Sequence, residues 1–254
     1  MYNSRNTLSE TMIELITLGA SVGAISGFFG IGGGTVIIPI LLFLGFEIKE
    51  AIGISSVQMV FSSVYGSYLN YKKGNLDVTM VSIIGIGGFI GASFSGYLAT
   101  MLSSKSLEVI FLLFASFALI RMFLKIKDLP TKEGISPILL FVVGLILGAV
   151  SMTIGVGGSI VLIPILVSFW HVELKSAISA GLFFVVFSSL SGMISHILNG
   201  HVNFEKGLLI GCASLGGVYL GIHLKDKIKE SLQKKLLVGF YATVVIYLTY
   251  RIFI

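Results

Sequence analysis

A glycine-rich phrase set inside apolar sequence occurs twice in this chain. Residues 19–41 read GASVGAISGFFGIGGGTVIIPIL and residues 144–166 read GLILGAVSMTIGVGGSIVLIPIL, identical at 12 of 23 aligned positions. The shared positions include Gly30/Gly155, Gly32/Gly157, Gly33/Gly158 and Pro39/Pro164, so the chain is internally duplicated. Each copy puts flexible backbone and a proline into a stretch too apolar for water. Irregular backbone at membrane depth survives only where protein buries it or where it lines a cavity, so both copies point to a site.

The solvent follows from composition. Hydrophobic residues make up 55% of the chain and charged residues 11%, against roughly 25% charged in a soluble domain. Mean hydropathy is +1.00. These values indicate a polytopic membrane protein with no soluble domain left over. The Lys and Arg residues fall between apolar runs, so the basic balance reflects loop charge and gives no nucleic-acid patch. No cleavable signal sequence is expected ahead of the first apolar run. Cys212 stands alone, which excludes a disulfide within the chain, and no Cys/His spacing suggests a metal or cofactor.

Crossing about 30 Å of hydrocarbon takes around 20 apolar residues as helix. Eight runs qualify: 11–46, 51–71, 78–101, 106–124, 136–170, 176–198, 205–223 and 236–253. The first and fifth hold the glycine phrases and are too long for one helix. Each reads as a helix, a break at the glycines and a shorter helix carrying the proline, giving about ten helical segments.

Charge decides whether those two runs cross or turn back. If each crosses once, the 17 Lys and Arg residues divide almost evenly between the two sides. If each is a hairpin, one side collects Lys72, Lys73, Arg121, Lys125, Lys127, Lys132, Lys175, Lys225, Lys227, Lys229, Lys234 and Lys235, leaving Arg5, Lys49, Lys105, Lys206 and Arg251 opposite. The biased split favours the hairpins and puts the larger group in the cytoplasm. Both termini are then extracytoplasmic, in a multi-pass protein of the cell membrane.

The duplication continues at an offset of 126, pairing Ser62/Ser63 with Ser188/Ser189, Gly66 with Gly192 and Gly85 with Gly211. The expected fold is an all-α integral membrane protein of two inverted-topology repeats, each a glycine-broken hairpin plus three transmembrane helices. Residues 1–127 form the first repeat, 128–135 a cytoplasmic linker and 136–254 the second. Together they make one transporter domain, an architecture recurrent in secondary transporters.

After each break a new helix starts, and its first N–H groups lack carbonyl partners and carry the positive end of the helix dipole. The candidate anion site therefore comprises Gly30, Gly32, Gly33, Gly34 and Thr35 with Gly155, Gly157, Gly158 and Ser159, Pro39 and Pro164 serving the breaks structurally. Glycines of the GxxxG pairs, such as Gly19/Gly23 and Gly217/Gly221, read instead as close helix packing. Ser55, Ser56, Gln58, Ser62 and Ser63 in one half and Ser179, Ser188, Ser189 and Ser191 in the other are the polar candidates for completing the pocket, Gln58 foremost because a buried amide in lipid must find a partner. His196 and His201 are candidates for proton coupling. A catalytic cluster of acids, bases or metal ligands is absent from the spans, which argues against an enzyme.

The phrases GFFGIGGGTVIIPIL and TIGVGGSIVLIPIL, each followed by an AIG or AIS segment, a Ser-rich span and a GN-D or GHVN turn, resemble the TauE/SafE sulfite exporter family, over nearly the whole chain. The resemblance implies a transporter of a sulfur oxyanion or organosulfonate such as sulfite, thiosulfate or sulfoacetate. It matches Gly30, Gly32, Gly33, Gly34 and Pro39 to the first motif and Gly155, Gly157, Gly158 and Pro164 to the second. One departure stands out: Ala180-Gly181-Leu182 lacks the hydroxyls that Ser55 and Ser56 supply in the first half. The expected function is secondary transport of a small anion by alternating access around the two breaks. The alternative is a passive anion channel, or a permease of another small solute. Expected partners are the anion and the bilayer, with a homodimer left open.

Overall fold

The computed structural model describes residues 4–74, 78–123 and 135–253, with side chains from residue 12 onward. Eleven α-helices, and no strand, occur among the described residues. The first half contributes α1 (Ser4–Phe29), α2 (Gly34–Phe43), α3 (Ile48–Lys72), α4 (Val78–Ala92), α5 (Ser95–Met101) and α6 (Ser104–Phe123). The second contributes α7 (Pro137–Thr153), α8 (Ser159–Phe169), α9 (Leu174–Leu198), α10 (Phe204–Lys227) and α11 (Glu230–Phe253). Most of the expected linker, 128–135, lies outside the described residues. Pro137 opens α7, where its missing N–H costs nothing.

Five helices are long and apolar enough to span a membrane, six if α4 and α5 count as one bent span. That bend of 42° is the eleventh helix the sequence does not announce. Its cause is a side chain from α9. The Ser195 hydroxyl donates to the Ser93 carbonyl at 2.8 Å and accepts from the Gly96 N–H at 2.9 Å, satisfying the backbone groups that the break frees. Leu69 stands where Ser195 stands in the other half, and α10 runs unbroken.

The outward faces are apolar, as lipid contact demands. Leu113 on α6 is 62% exposed and Ile246 on α11 is 70% exposed. Polar groups turn inward instead: Ser55, Ser62, Gln58, Asn70, Ser188 and His196 are fully buried.

Small residues set the helix pairing. A methyl group placed on Gly19, Gly23 or Gly27 of α1 would strike the backbone of Ile210, Ser214 and Val218 on α10 in turn. The numbers rise together, so α1 and α10 run in one direction. On α7, Gly144 and Gly148 meet Ile84 and Gly88 of α4 in the same parallel sense, at positions equivalent to Gly19 and Gly23. Each half's first helix therefore packs on the other half's fourth. Backbone approach of this kind is what drives helix association when lipid removes the hydrophobic incentive.

Directions elsewhere follow from side-chain contacts. Glu50 meets Lys206 near the start of α3 and α10, and Lys73 meets Asp226 just past the end of α3, at 3.1 and 2.5 Å, so these helices are parallel too. A methyl on Gly53 would strike His201 just past the end of α9, whereas Asn70 and Ser179 share a partner at the opposite end. Helices α3 and α9 are therefore antiparallel. Since α1 and α3 both run with α10, α2 carries the chain back after the first break.

Candidate functional site

The two breaks form because six glycines adopt backbone angles that other residues avoid. Gly30, Gly32 and Gly33 have φ of 70°, 70° and 89°, and Gly155, Gly157 and Gly158 have 72°, 75° and 90°. A side chain at such angles costs about 1–2 kcal/mol. Space is also lacking: a methyl on Gly30 would strike the Ile178 carbonyl, and one on Gly155 would press against Ile52, the residue equivalent to Ile178. Gly33 and Gly158 are the N-caps of α2 and α8.

Past each cap the first hydrogen bonds close on the cap carbonyl. Val36 and Ile37 donate to Gly33 at 2.9 Å, and Val161 and Leu162 donate to Gly158 at 3.2 and 3.0 Å. The N–H groups of Gly32, Gly33, Gly34 and Thr35, and of Gly157, Gly158, Ser159 and Ile160, have no acceptor among the described residues. All eight residues are buried. Two sets of unspent donors, each at a positive helix end, thus lie inside an apolar protein.

The breaks touch. A methyl on Gly34 would strike the Gly155 carbonyl, and the Met59 sulfur lies close to both Gly34 and Gly157. Val185, the counterpart of Met59, reaches Gly32 and Gly157 in the same way. Met59 and Val185 therefore form an apolar divider between two amide clusters.

Three serines fasten the breaks. Ser55 donates to the Gly155 carbonyl at 2.7 Å, Ser62 to Gly32 at 3.1 Å and Ser188 to Gly157 at 2.8 Å. Ser56 donates to Gly53 in its own helix at 2.7 Å. Ser55 and Ser56 therefore have no hydrogen to offer an anion in this arrangement, while Ser62 and Ser188 hold the carbonyls of the breaks. Among the described residues, buried side chains near the breaks without a partner include the Ser26, Thr35, Ser159 and Ser189 hydroxyls and both ends of the Gln58 amide.

Gln58 is the sharpest of these. Its amide sits against Gly33, so that a Cβ there would collide with it. In the second half Phe184 replaces it and packs against Gly158. The missing hydroxyl at Gly181 is offset nearby: a Cβ on Gly181 would lie 3.1 Å from Ser159 Cβ, just as one on Gly34 would meet Ser55. Glycine and serine have exchanged places between helices.

His196 and His201 meet at the α9 end remote from Lys225. His196 Nδ1 and His201 Nδ1 are 3.1 Å apart, and His196 Nε2 is 2.9 Å from the Met152 carbonyl. A carbonyl only accepts, so His196 Nε2 carries hydrogen and its Nδ1 accepts from His201 Nδ1–H. The next proton the pair takes up goes on His201 Nε2. Burial, helped by the nearby Lys49 charge, holds His201 below the ordinary histidine value.

Lys225 is a residue that sequence reasoning misplaced. The run 205–223 leaves it among the cytoplasmic loop cations, but α10 extends to Lys227 and buries it completely. Its ammonium donates to Asn70 Oδ1 at 2.7 Å and Ser179 Oγ at 3.0 Å. The equivalence of Asn70 with His196 was the signal that something ionic belongs at both ends of the central helix pair.

The family model for the sulfite exporter TauE/SafE matches residues 15–248. Probable membrane transporter protein YunE of Bacillus subtilis is 24% identical, covering 90% of this chain and 92% of its own. A probable membrane transporter protein of Haemophilus influenzae is 30% identical over 81% of this chain and 79% of its own, and MJ0441 of Methanocaldococcus jannaschii is 30% identical over 84% and 86%. No solved structure matches the chain. With most of its length covered, this chain belongs to the sulfite exporter TauE/SafE family and is a membrane transporter, not an enzyme.

Proposed function

We propose that the protein moves a small oxyanion, of the sulfite, thiosulfate or organosulfonate class, through the paired glycine breaks by alternating access. The observation that carries this reading is the set of unspent, buried N–H groups at the two helix starts. Donors at a helix N-terminus suit an oxyanion without a basic side chain beside it, and glycine lets the anion approach the amides. The unpartnered Gln58 amide and the Thr35 and Ser159 hydroxyls complete a donor-rich lining.

The halves are read as inverted repeats. Support comes from the antiparallel course of the equivalent helices α3 and α9, and from the reciprocal pairing of α1 with α10 and α7 with α4. The ion pairs Glu50–Lys206 and Lys73–Asp226 support the hairpins as well. Single crossings would put the members of each pair on opposite faces of the membrane. With the hairpins, the positive-inside rule puts Lys73, Lys175 and Lys225 at the cytoplasmic end and both termini outside. Rocking of one half against the other then exposes the breaks to each side alternately.

Flux into proteoliposomes tests the reading. Labelled sulfite, thiosulfate, sulfoacetate and sulfate are offered in turn, and saturable uptake of at least one, accelerated by the same anion inside, is expected. Failure of all four to move overturns the substrate class. Unsaturable conductance without counter-anion stimulation assigns a channel instead.

A further inference from the structure

Two stripes leave the breaks along the central helices. On α3, Gln58, Ser62, Gly66 and Asn70 recur every four residues and share one face; on α9, Phe184, Ser188, Gly192 and His196 are their equivalents. Because α3 and α9 are antiparallel, the stripes lead to opposite ends. Each is shut by an apolar side chain over its glycine: Leu182, with Val218 and Ile222 behind it, covers Gly66, and Met152 covers Gly192. Beyond Gly192 stands the histidine pair. Beyond Gly66 stands Lys225.

Lys225 is unlike an ordinary structural lysine. It is fully buried, yet among the described residues its two bonded partners are a neutral amide and a neutral hydroxyl. An ammonium has three hydrogens to donate, so one is unspent among the described residues. Asp226 beside it attracts the ammonium but is itself engaged by Lys73 at 2.5 Å, and Lys73 and Lys175 add opposing positive charge. Burying a cation without a bound anion is expensive, which favours an anionic partner from outside the chain. The ammonium also ties α3 to α9, across the two halves.

We propose that Lys225, with Asn70 and Ser179, is a second anion station at the inner end of the path, serving the same small oxyanion as the breaks. In the closed inner end its ammonium bridges Asn70 and Ser179. As that end opens, an oxyanion takes the ammonium's bonds, and release of the bridge lets α3 and α9 separate. Anion capture and opening are then one event. This rests on the transport reading above.

The test uses reconstituted protein of known orientation, with labelled sulfite and thiosulfate varied on one face at a time. Lys225→Met raises the half-saturating concentration on the face nearer Lys225 by about tenfold, the loss of one charge-assisted bond, and changes the other face little. Lys225→Arg restores the wild-type value within about threefold. Asn70→Asp supplies an internal carboxylate that occupies the ammonium, so it raises the half-saturating concentration on the same face while also raising the thermal unfolding midpoint. A purely structural role gives the same gain in stability for Asn70→Asp but leaves the half-saturating concentration unchanged. Unchanged half-saturation in Lys225→Met and Asn70→Asp while wild type transports overturns the station alone. If Lys225→Met does not fold, Asn70→Asp and Lys225→Arg decide the matter. If wild type moves neither probe nor the other anions above, the transport reading falls and the station with it.

Discussion

At the residue scale the site is made of groups left without partners. Gln58 is the clearest case, since among the described residues both ends of its buried amide stay unbonded beside Gly33. Desolvating that amide without compensation costs about 1–3 kcal/mol, so Gln58→Leu leaves the unfolding midpoint unchanged or higher. Transport moves the other way, with the half-saturating anion concentration rising about tenfold in the proteoliposome assay. A lower midpoint with unchanged transport would make Gln58 a structural residue. His201 carries a pH expectation. Its folded-state value lies below the ordinary 6.5, so between those values the unfolded chain binds the proton and the native state does not. Stability from this residue is present above pH 6.5 and declines as pH falls towards the folded value. Thermal unfolding followed between pH 7.5 and 5.5 should show a falling midpoint for wild type and a flatter profile for His201→Gln. The glycines, Gln58 and the histidines were legible in the sequence by type and place. The roles of Ser55 and Ser62 were not, because a serine in a helix declares nothing about which distant carbonyl it will meet.

At the element scale, glycine does two separate jobs. In the breaks it supplies positive φ; in α1, α4, α7 and α10 it lets backbones touch. Neighbouring residues on α10 separate this effect from helix propensity. A methyl on Gly217 would strike Ala20 of α1, whereas one on Gly216 meets nothing within 4 Å. Gly217→Val should lower the unfolding midpoint in detergent sharply, and Gly216→Val should change it little. Equal effects would mean that α1 and α10 are not held by this approach. The hydrophobic runs located most helices, since lipid forces each one to satisfy its own backbone. They failed where tertiary contact sets a boundary. Ser195 splits α4 from α5 through bonds reaching across the chain, and Lys225 is drawn into α10 by Asn70 and Ser179.

At the scale of the whole molecule, one duplication explains the pairing of helices, the antiparallel central pair and the meeting of two helix starts. The halves differ at the first break and at the two ends of the central pair. Gln58 faces Phe184 across the pseudo-symmetry, and Asn70 with Lys225 stands opposite His196 with His201. A symmetric pair of breaks with unlike ends suits a carrier that must bind the same anion from two compartments of different composition. The most direct measurement compares labelled-anion uptake by wild type, Gly33→Ala and Gly158→Ala in proteoliposomes, each variant first checked for monodispersity in detergent. An added methyl meets Gln58 at the first break and Phe184 with Ser151 at the second, at φ of 89° and 90°. It strains the cap by about 1–2 kcal/mol and reorients the amides of its own break. Uptake in each variant should fall by at least about tenfold, since a bond to a charged group contributes about 1.5–3 kcal/mol. Two well-folded variants transporting at the wild-type rate and affinity would contradict the assignment of the anion site to the paired breaks.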